Sequence, residues 1–172
     1  KTVEVDIISD NQYLGRTCAT SGASVGKYEA ISFPNDNPEE SLRILTENSK
    51  KFLGLEPNDL RVIHETIKSI DKTPNYSEVG GAIAYAVSIA AMESASKAIG
   101  KPLFRLISEQ SEYRFPIPLG NILGGGVHAG SGTPDIQEIL ISATNAKTVR
   151  EAIQTNFTVH KELRKVDRKS VV

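Results

Sequence analysis

A run of glycines between residues 124 and 132 is the feature that most restricts how this chain can fold. Gly124, Gly125, Gly126, Gly130 and Gly132 place five glycines in nine positions. Glycine loses more backbone entropy on ordering than any other residue, so a helix or strand is unfavourable across this segment. We therefore expect a loop there, and loops of this composition let the backbone approach a ligand closely.

The segment around the glycines also carries groups that can act on a ligand. His128 lies inside the run, and Gln137 and Glu138 follow it. A histidine titrates near neutral pH, an amide can orient a ligand, and a carboxylate supplies charge. The sequence therefore predicts a ligand pocket formed by His128, Gln137 and Glu138.

The glycine run matches the G-x-G-x-x-G/A pattern of dinucleotide-binding sites only formally. That mechanism requires a helix that begins at the glycines and points its N-terminus at the pyrophosphate. Gly130, Gly132 and Pro134 disfavour such a helix. We therefore do not expect a nicotinamide or flavin site. The sequence also lacks the G-x-x-x-x-G-K-[ST] phosphate loop, a CxxC pair and an HExxH helix.

Length and charge restrict the class of protein. The chain has 172 residues, with 20 basic and 21 acidic side chains and one cysteine. This length corresponds to one domain, or to one domain with part of another. The near-neutral charge disfavours a nucleic-acid binder, and no apolar run reaches the ~20 residues of a membrane span. Cys18 has no partner for an internal disulfide, which favours a cytoplasmic protein, and we expect its side chain to be buried in a strand.

The first 29 residues predict a β-hairpin followed by a loop. The alternation of Val3, Val5 and Ile7 with polar residues predicts a strand, and residues 13–20 predict its partner after a turn. Small residues replace large ones over 21–29. By composition this stretch is either a plain surface loop or a second ligand loop.

Helical patterns follow the hairpin. We expect a helix capped by Asn37, a second helix from near Pro57, and an alanine-rich third helix over 79–99 that is buried on most sides. Residues 108–116 have the composition of a linker. His64, on the second helix, is interpreted as a solvated residue rather than a ligand.

Strands are expected on both sides of the glycine loop, over 117–123 and 136–143, before a last helix that opens at Thr148. His160 is interpreted as a residue on the face of that helix rather than as a ligand.

Four stretches occur in a characteristic order: TVEVD at 2–6, SGASVGKYEA at 21–30, KPLFR at 101–105, and 121–138 with its Gly-Gly-x-His-Ala-Gly and Gln-Glu motifs. Together they resemble the enolase family, the phosphopyruvate hydratases. The second and fourth stretches are highly specific in combination. The resemblance implies an α+β capping domain over 1–107, with a three-stranded antiparallel sheet plus helices. A linker over 108–116 and the opening β-β-α of an incomplete (β/α)8 barrel over 117–172 would follow.

Enolases reversibly dehydrate 2-phosphoglycerate to phosphoenolpyruvate in glycolysis and gluconeogenesis, with two magnesium ions. The resemblance implies that Ser24 ligates the second magnesium and that Ala23 offers backbone to the same site. It implies that His128 comes near the substrate's phosphate, while Gln137 and Glu138 line the site and Glu138 helps the hydroxyl group leave. It also implies a cytoplasmic homodimer or larger homo-oligomer, with no nucleic-acid partner.

The sequence departs from the family pattern in three ways. Val25 replaces the threonine that commonly follows the loop serine, and the span from His128 to Glu138 is one residue longer, as in an archaeal-like variant. The remaining metal ligands, the proton-abstracting lysine and the phosphate-binding arginine have no counterpart in these residues. We therefore expect the chain alone to be inactive, with Ile139, Ile141 and the apolar face of the last helix exposed.

Three interpretations follow from the sequence. The chain is a piece of an authentic enolase, through truncation or proteolysis; or it is a non-catalytic, enolase-derived module that binds a partner or assembles; or it is an unrelated phosphate-binding domain whose two loops match by accident.

Overall fold

The computed structural model describes residues 1–22, 26–108, 110–126, 131–133 and 135–169. They belong to two compact units, Lys1–Gln110 and Ser111–Val172. The strands and α-helices in chain order are β1 (Thr2–Ser9), β2 (Tyr13–Thr20), α1 (Pro38–Asn48), α2 (Leu60–Ile70), α3 (Gly81–Ile99), α4 (Leu103–Ile107), β3 (Leu119–Gly124), β4 (Glu138–Ser142) and α5 (Val149–Lys169). Short 3-10 helices cover Pro34–Asp36 and Ser49–Phe52. None of the helices in the described part of the chain is long and apolar enough to cross a membrane.

Strands β1 and β2 form the expected antiparallel hairpin, in register from Thr2 opposite Thr20 to Ser9 opposite Tyr13. The prediction that Cys18 is buried is wrong, because the side-chain alternation of β2 directs Ala19 into the core and Cys18 to the outer face. Its Sγ lies 3.3 Å from Glu4 Oε2. The hydrogen bond to this carboxylate raises the pKa of the Cys18 thiol.

Among the described residues this sheet has two strands, not the three expected. Beyond β2, the backbone of Ile31 is hydrogen-bonded outside the sheet. Ile31 N–H donates to Asn75 O at 2.9 Å, and Ile31 O accepts from Gly81 N–H at 2.7 Å. Because these groups are bonded to the segment that leads into α3, they cannot also form a ladder beside β2.

Helices α1 and α2 both begin at side-chain caps. Asn37 Oδ1 accepts from Glu39 N–H at 3.0 Å, as expected from the sequence. Asp59 Oδ1 caps α2 by accepting from Val62 N–H at 3.1 Å. This cap places the start of α2 after Asp59, later in the chain than the predicted position near Pro57.

Helix α3 is the centre of the first unit and is buried on most sides, as predicted. Ala86, Ala90 and Ala91 are fully buried. Its small side chains let β2 cross closely, since a Cβ added to Gly15 would lie 1.9 Å from Ala90 O. Ser94 joins the end of the hairpin to this helix, with its Oγ 2.6 Å from the carbonyl oxygen of Tyr13.

Side chains of α3 also close the outer edge of β2. Glu93 Oε2 accepts from Arg16 N–H at 2.7 Å, and Lys97 Nζ donates to Leu14 O at 2.6 Å. The hydrogen bond from the Arg16 backbone lowers the pKa of Glu93. Polar groups on this strand edge are therefore satisfied by α3 rather than by another strand.

The second unit contains the antiparallel pair β3 and β4, which extends from Leu119 opposite Ser142 to Gly124 opposite Glu138, with a shift of one residue in register between Asn121 and Leu123. Both strands are shorter than predicted. Strand β3 begins after Pro118, whose nitrogen has no hydrogen to donate to a ladder.

Helix α5 opens with one half of the expected capping box, the cap by Thr148, because the Glu151 carboxylate reaches back to Lys147 rather than to Thr148. Thr148 Oγ1 accepts from Glu151 N–H at 3.1 Å, and Glu151 Oε2 accepts from Lys147 N–H at 2.9 Å. The helix packs on β3 through Asn156, whose Nδ2 would lie 3.0 Å from a Cβ added to Gly120. The strand and helix approach this closely because position 120 has no side chain.

Candidate functional site

Strands β3 and β4 place Glu138 beside Asn121 at the end of the hairpin that adjoins the glycine loop. Asn121 Nδ2 donates to Glu138 Oε2 at 3.1 Å, and both side chains are exposed. This hydrogen bond orients the carboxylate, while its Oε1 makes no hydrogen bond with any residue in the described ranges. The arrangement can present one carboxylate oxygen to a ligand at the mouth of the loop.

The backbone of Gln137 is hydrogen-bonded to the glycine segment at the end of β3. Its carbonyl oxygen accepts from Gly125 N–H at 2.8 Å. Gly126 has a φ of +67°, and a Cβ at this position would lie 3.2 Å from Gln137 Cα. Glycine is favoured at position 126 by both the backbone angle and the close approach. The Gln137 side chain is exposed beside Glu138.

Of the five predicted site residues, the structure describes two, Gln137 and Glu138, which are neighbours in the chain. The other three, Ala23, Ser24 and His128, lie outside the described residues. The chain directly after position 25 forms a turn, in which Glu29 N–H donates to Gly26 O at 3.1 Å and Glu29 Oε2 accepts from Gly26 N–H at 2.9 Å.

Asn121 is a site residue to which the sequence reasoning gave no role. It is a polar residue inside an otherwise apolar run, between Gly120 and Ile122. An amide in a strand that is otherwise apolar usually has a hydrogen-bond partner, so the sequence does mark Asn121 as a residue with a specific polar contact. Its partner could not be identified without the strand register.

The two histidines outside the glycine loop both lie on the surface of a helix. His64 and His160 are both exposed on their helices, as predicted, and His64 Nδ1 lies 3.5 Å from the hydroxyl of Tyr76. Within the ranges that the structure describes, no group of three or more His, Cys, Asp or Glu side chains could hold a metal ion. These residues therefore do not by themselves fit a magnesium site.

Comparison with known proteins covers both units. The family model for the enolase N-terminal domain matches residues 1–107, and that for the enolase C-terminal TIM barrel domain matches residues 112–171. An enolase of Methanosphaera stadtmanae is 38% identical over 164 residues, which are 95% of this chain and 39% of that protein. An enolase of Methanothermobacter thermautotrophicus is 40% identical over 172 residues, which are 98% of this chain and 40% of that protein.

An enolase of Archaeoglobus fulgidus is 36% identical over 166 residues, or 96% of this chain and 40% of that protein. The chain therefore spans about two fifths of the length of the curated relatives that it matches. These matches agree with the resemblance seen in the two loops, and the relatives are archaeal, as the longer glycine loop indicated. With family models matched on both sides of residues 108–111, this chain belongs to the enolase family and corresponds to a fragment of an enolase.

Proposed function

We propose that this chain is part of an enolase that reversibly dehydrates 2-phosphoglycerate to phosphoenolpyruvate, in glycolysis and gluconeogenesis. The observation that carries the proposal is the oriented carboxylate of Glu138, held by Asn121 beside Gln137 at the mouth of the glycine loop. This arrangement lies in a chain matched by both enolase family models. The chain supplies part of the site, and the complete protein supplies the rest.

Each site residue has a distinct role in this proposal. Glu138 helps the hydroxyl group leave, and the amide of Asn121 keeps its carboxylate in one orientation. Gln137 lines the substrate pocket, His128 lies near the substrate's phosphate, and Ala23 offers its backbone to the same pocket. Because this chain contributes a carboxylate that is already oriented, part of the entropic cost of positioning it is met before substrate binds.

Magnesium is the proposed cofactor of the complete protein, with two ions for each site. Ser24 is the one ligand that we assign within this chain. The ions, when bound, would stabilise the negative charge that develops on the substrate's carboxylate as the neighbouring proton is removed. The other metal ligands and the proton-abstracting lysine belong to the remainder of the protein.

We also propose that the capping domain of the complete protein has the three-stranded antiparallel sheet that the family resemblance implies, with β1 and β2 as two of its strands.

The proposal also includes the domain limits, the oligomeric state and the cellular compartment of the complete protein. We assign the capping domain to residues 1–107, the linker to 108–116 and the start of the barrel to 117–172. We propose a homodimer or larger homo-oligomer in the cytoplasm. The single cysteine of the chain, which is free and exposed, is compatible with a reducing compartment.

The test is turnover of 2-phosphoglycerate by the complete protein, followed by the ultraviolet absorbance of phosphoenolpyruvate. We expect magnesium-dependent activity, and we expect Glu138→Gln and His128→Ala each to lower kcat by about 10²-fold or more. Unfolding temperatures should change little, because both residues belong to a ligand loop or a strand end. Glu162→Gln is the matched control, since it removes one exposed carboxylate of the same unit without touching the site.

Three results would contradict the proposal or a part of it. A folded complete protein without this activity would favour the non-catalytic module instead. Activity that is unaffected by Glu138→Gln would remove this carboxylate from the reaction. Phosphoenolpyruvate formation by the 172-residue chain alone would contradict our expectation that it lacks essential groups.

A further inference from the structure

Asn156 is a buried amide of α5 with only one of its two polar atoms hydrogen-bonded. The residue is 9% exposed, and its Nδ2 donates to Pro118 O at 3.0 Å. Its Oδ1 is buried and accepts no hydrogen bond from any residue that the structure describes. Because an unpaired buried oxygen is destabilising, the stability of the second unit does not by itself account for an amide at this position.

The side chain of Asn156 restrains β3 in two ways. Its hydrogen bond to Pro118 holds the residue just before the strand. It also lies against the backbone of Gly120, where an added Cβ would be 3.0 Å from Nδ2 and 3.2 Å from Cγ. The hydrogen bond fixes β3 along its own length and the contact fixes its distance from α5, so a movement of the first half of the strand would disturb Asn156.

Asn121 follows Gly120 and lies on the opposite face of β3, because consecutive strand residues alternate between the two faces. The burial agrees with this alternation, since Gly120 is half-buried towards α5 whereas Asn121 is exposed. On β4, Leu140 lies opposite Asn121, and Glu138, two residues earlier, shares the face of Leu140. The hydrogen bond from Asn121 to Glu138 therefore lies on the other side of the strand from Asn156.

The ladder between β3 and β4 is interrupted near this pair of side chains. Its register shifts by one residue between Asn121 and Leu123, and Glu138 is paired with Gly124, beyond the shift. Such a bulge leaves a residue unpaired and bends the strand, so it constrains the distance from Asn121 to Glu138 less firmly than a continuous ladder would. Asn156 supplies a further restraint on the half of β3 that carries Asn121.

We propose that Asn156 is a positioning residue for the reaction: by holding β3 against α5, it keeps the amide of Asn121 at the carboxylate of Glu138. This inference rests on the proposed function, because only there does Glu138 take part in a reaction. Asn156 is not a catalytic residue, since it is buried between α5 and β3 on the far side of the strand from Glu138. Its effect on the reaction is carried by the orientation of that carboxylate.

The first experiment is a double-mutant cycle on the complete protein, with Asn156→Ala, Glu138→Gln and the two combined. We expect Asn156→Ala alone to lower kcat by about tenfold with little change in KM, because a misplaced group weakens the transition state more than substrate binding. In the Glu138→Gln background we expect no further loss of kcat, since the group that Asn156 positions is already gone. Losses that multiply in the combined variant would overturn the inference.

Gln154→Gly is the matched control for a general loss of stability in α5. Gln154 is exposed, and glycine in the interior of a helix is destabilising. We expect this variant to lower the unfolding temperature while kcat stays at the parent value. A loss of kcat equal to that of Asn156→Ala would mean that any weakening of the helix is sufficient, and it would overturn the positioning role.

Asn156→Leu tests the inference even if Asn156→Ala does not fold. Leucine has nearly the same branched shape, but it cannot donate to Pro118 O and it removes the unpaired oxygen. We expect an unfolding temperature close to that of the parent, because the side chain still fills the space beside Gly120, together with a kcat that is again about tenfold lower. A leucine variant with the kcat of the parent would contradict the role of this hydrogen bond.

The side-chain amide resonances of Asn121 separate failure of this inference from failure of the proposed function, because they report its hydrogen bond to Glu138 without turnover. We expect Asn156→Leu to shift these resonances. If they shift but Glu138→Gln leaves kcat unchanged, Asn156 positions the pair and the proposed role of Glu138 is wrong. If Glu138→Gln lowers kcat while the Asn156 variants match the parent in both resonances and kcat, the proposed function stands and the positioning role is wrong.

Discussion

Gly15 occupies the point where β2 crosses α3, and its missing side chain is a packing requirement. A Cβ at this position would lie 1.9 Å from Ala90 O and 2.6 Å from Ser94 N. Both atoms belong to the backbone of a buried helix, so neither can rotate away as the end of a side chain could. The alanines of α3 are therefore only half of the explanation for this close crossing, and the glycine of β2 is the other half.

We predict that Gly15→Ala lowers the free energy of unfolding by about 3 kcal/mol, at the upper end of the range for overpacked sites. The added methyl group can be accommodated only if β2 moves away from α3, which separates buried surfaces. Gly124→Ala is the matched control, because a Cβ there has no neighbour within 4 Å. Urea denaturation measures both variants, and equal losses of stability would contradict the packing argument.

At the scale of elements, the features that depend on local chemistry could be predicted from the sequence. The β1–β2 hairpin, the Asn37 cap and the Thr148 cap all involve residues close together in the chain. Local chemistry could not predict which face of the sheet the Cys18 side chain lies on, or the contact between Asn121 and Glu138. A shift of one residue in strand register reverses every side chain, and composition does not determine that register.

The two edges of the first sheet differ in their backbone hydrogen bonding. Arg16 N–H and Leu14 O point away from β1 and bond to side chains of α3. Their partners on β1 are Asp6 and Ile8, and neither pair is joined by hydrogen bonds between its own two residues. The N–H and C=O groups of Asp6 and Ile8 therefore point outward at the β1 edge. No residue of the described ranges bonds to those outward groups. The β1 edge, unlike the β2 edge, therefore has backbone groups available for pairing.

We predict that the amides of Asp6 and Ile8 exchange with solvent faster than the amide of Arg16 in the 172-residue chain. The reason is that the N–H groups of Asp6 and Ile8 have no acceptor among the described residues, whereas Arg16 N–H donates to Glu93 and serves as the internal control. Protection of Asp6 and Ile8 as strong as that of Arg16 would show that the β1 edge is covered.

At the scale of the whole molecule, the second unit leaves several large apolar side chains exposed. Ile153 is 55% exposed and Phe157 is 67% exposed on α5, while Ile139 is 42% exposed on β4. Ile141 is half-buried. The expectation of exposed apolar residues on β4 and the last helix is thus largely confirmed, with Ile141 more covered than expected. A helix of a (β/α)8 barrel normally packs against its neighbours, so this surface is the kind that further barrel elements would cover.

Phe157→Ala should therefore have opposite consequences in the two forms of the protein. In the 172-residue chain it removes an exposed aromatic ring, so we expect less self-association by analytical ultracentrifugation. In the complete protein the ring would be buried, and its removal should lower the free energy of unfolding by about 3 kcal/mol or more. Gln154→Ala, on the same helix, should change neither quantity appreciably, because it removes an exposed polar side chain. Loss of stability only in the short chain, or unchanged stability of the complete protein, would mean that barrel elements do not cover this face of α5.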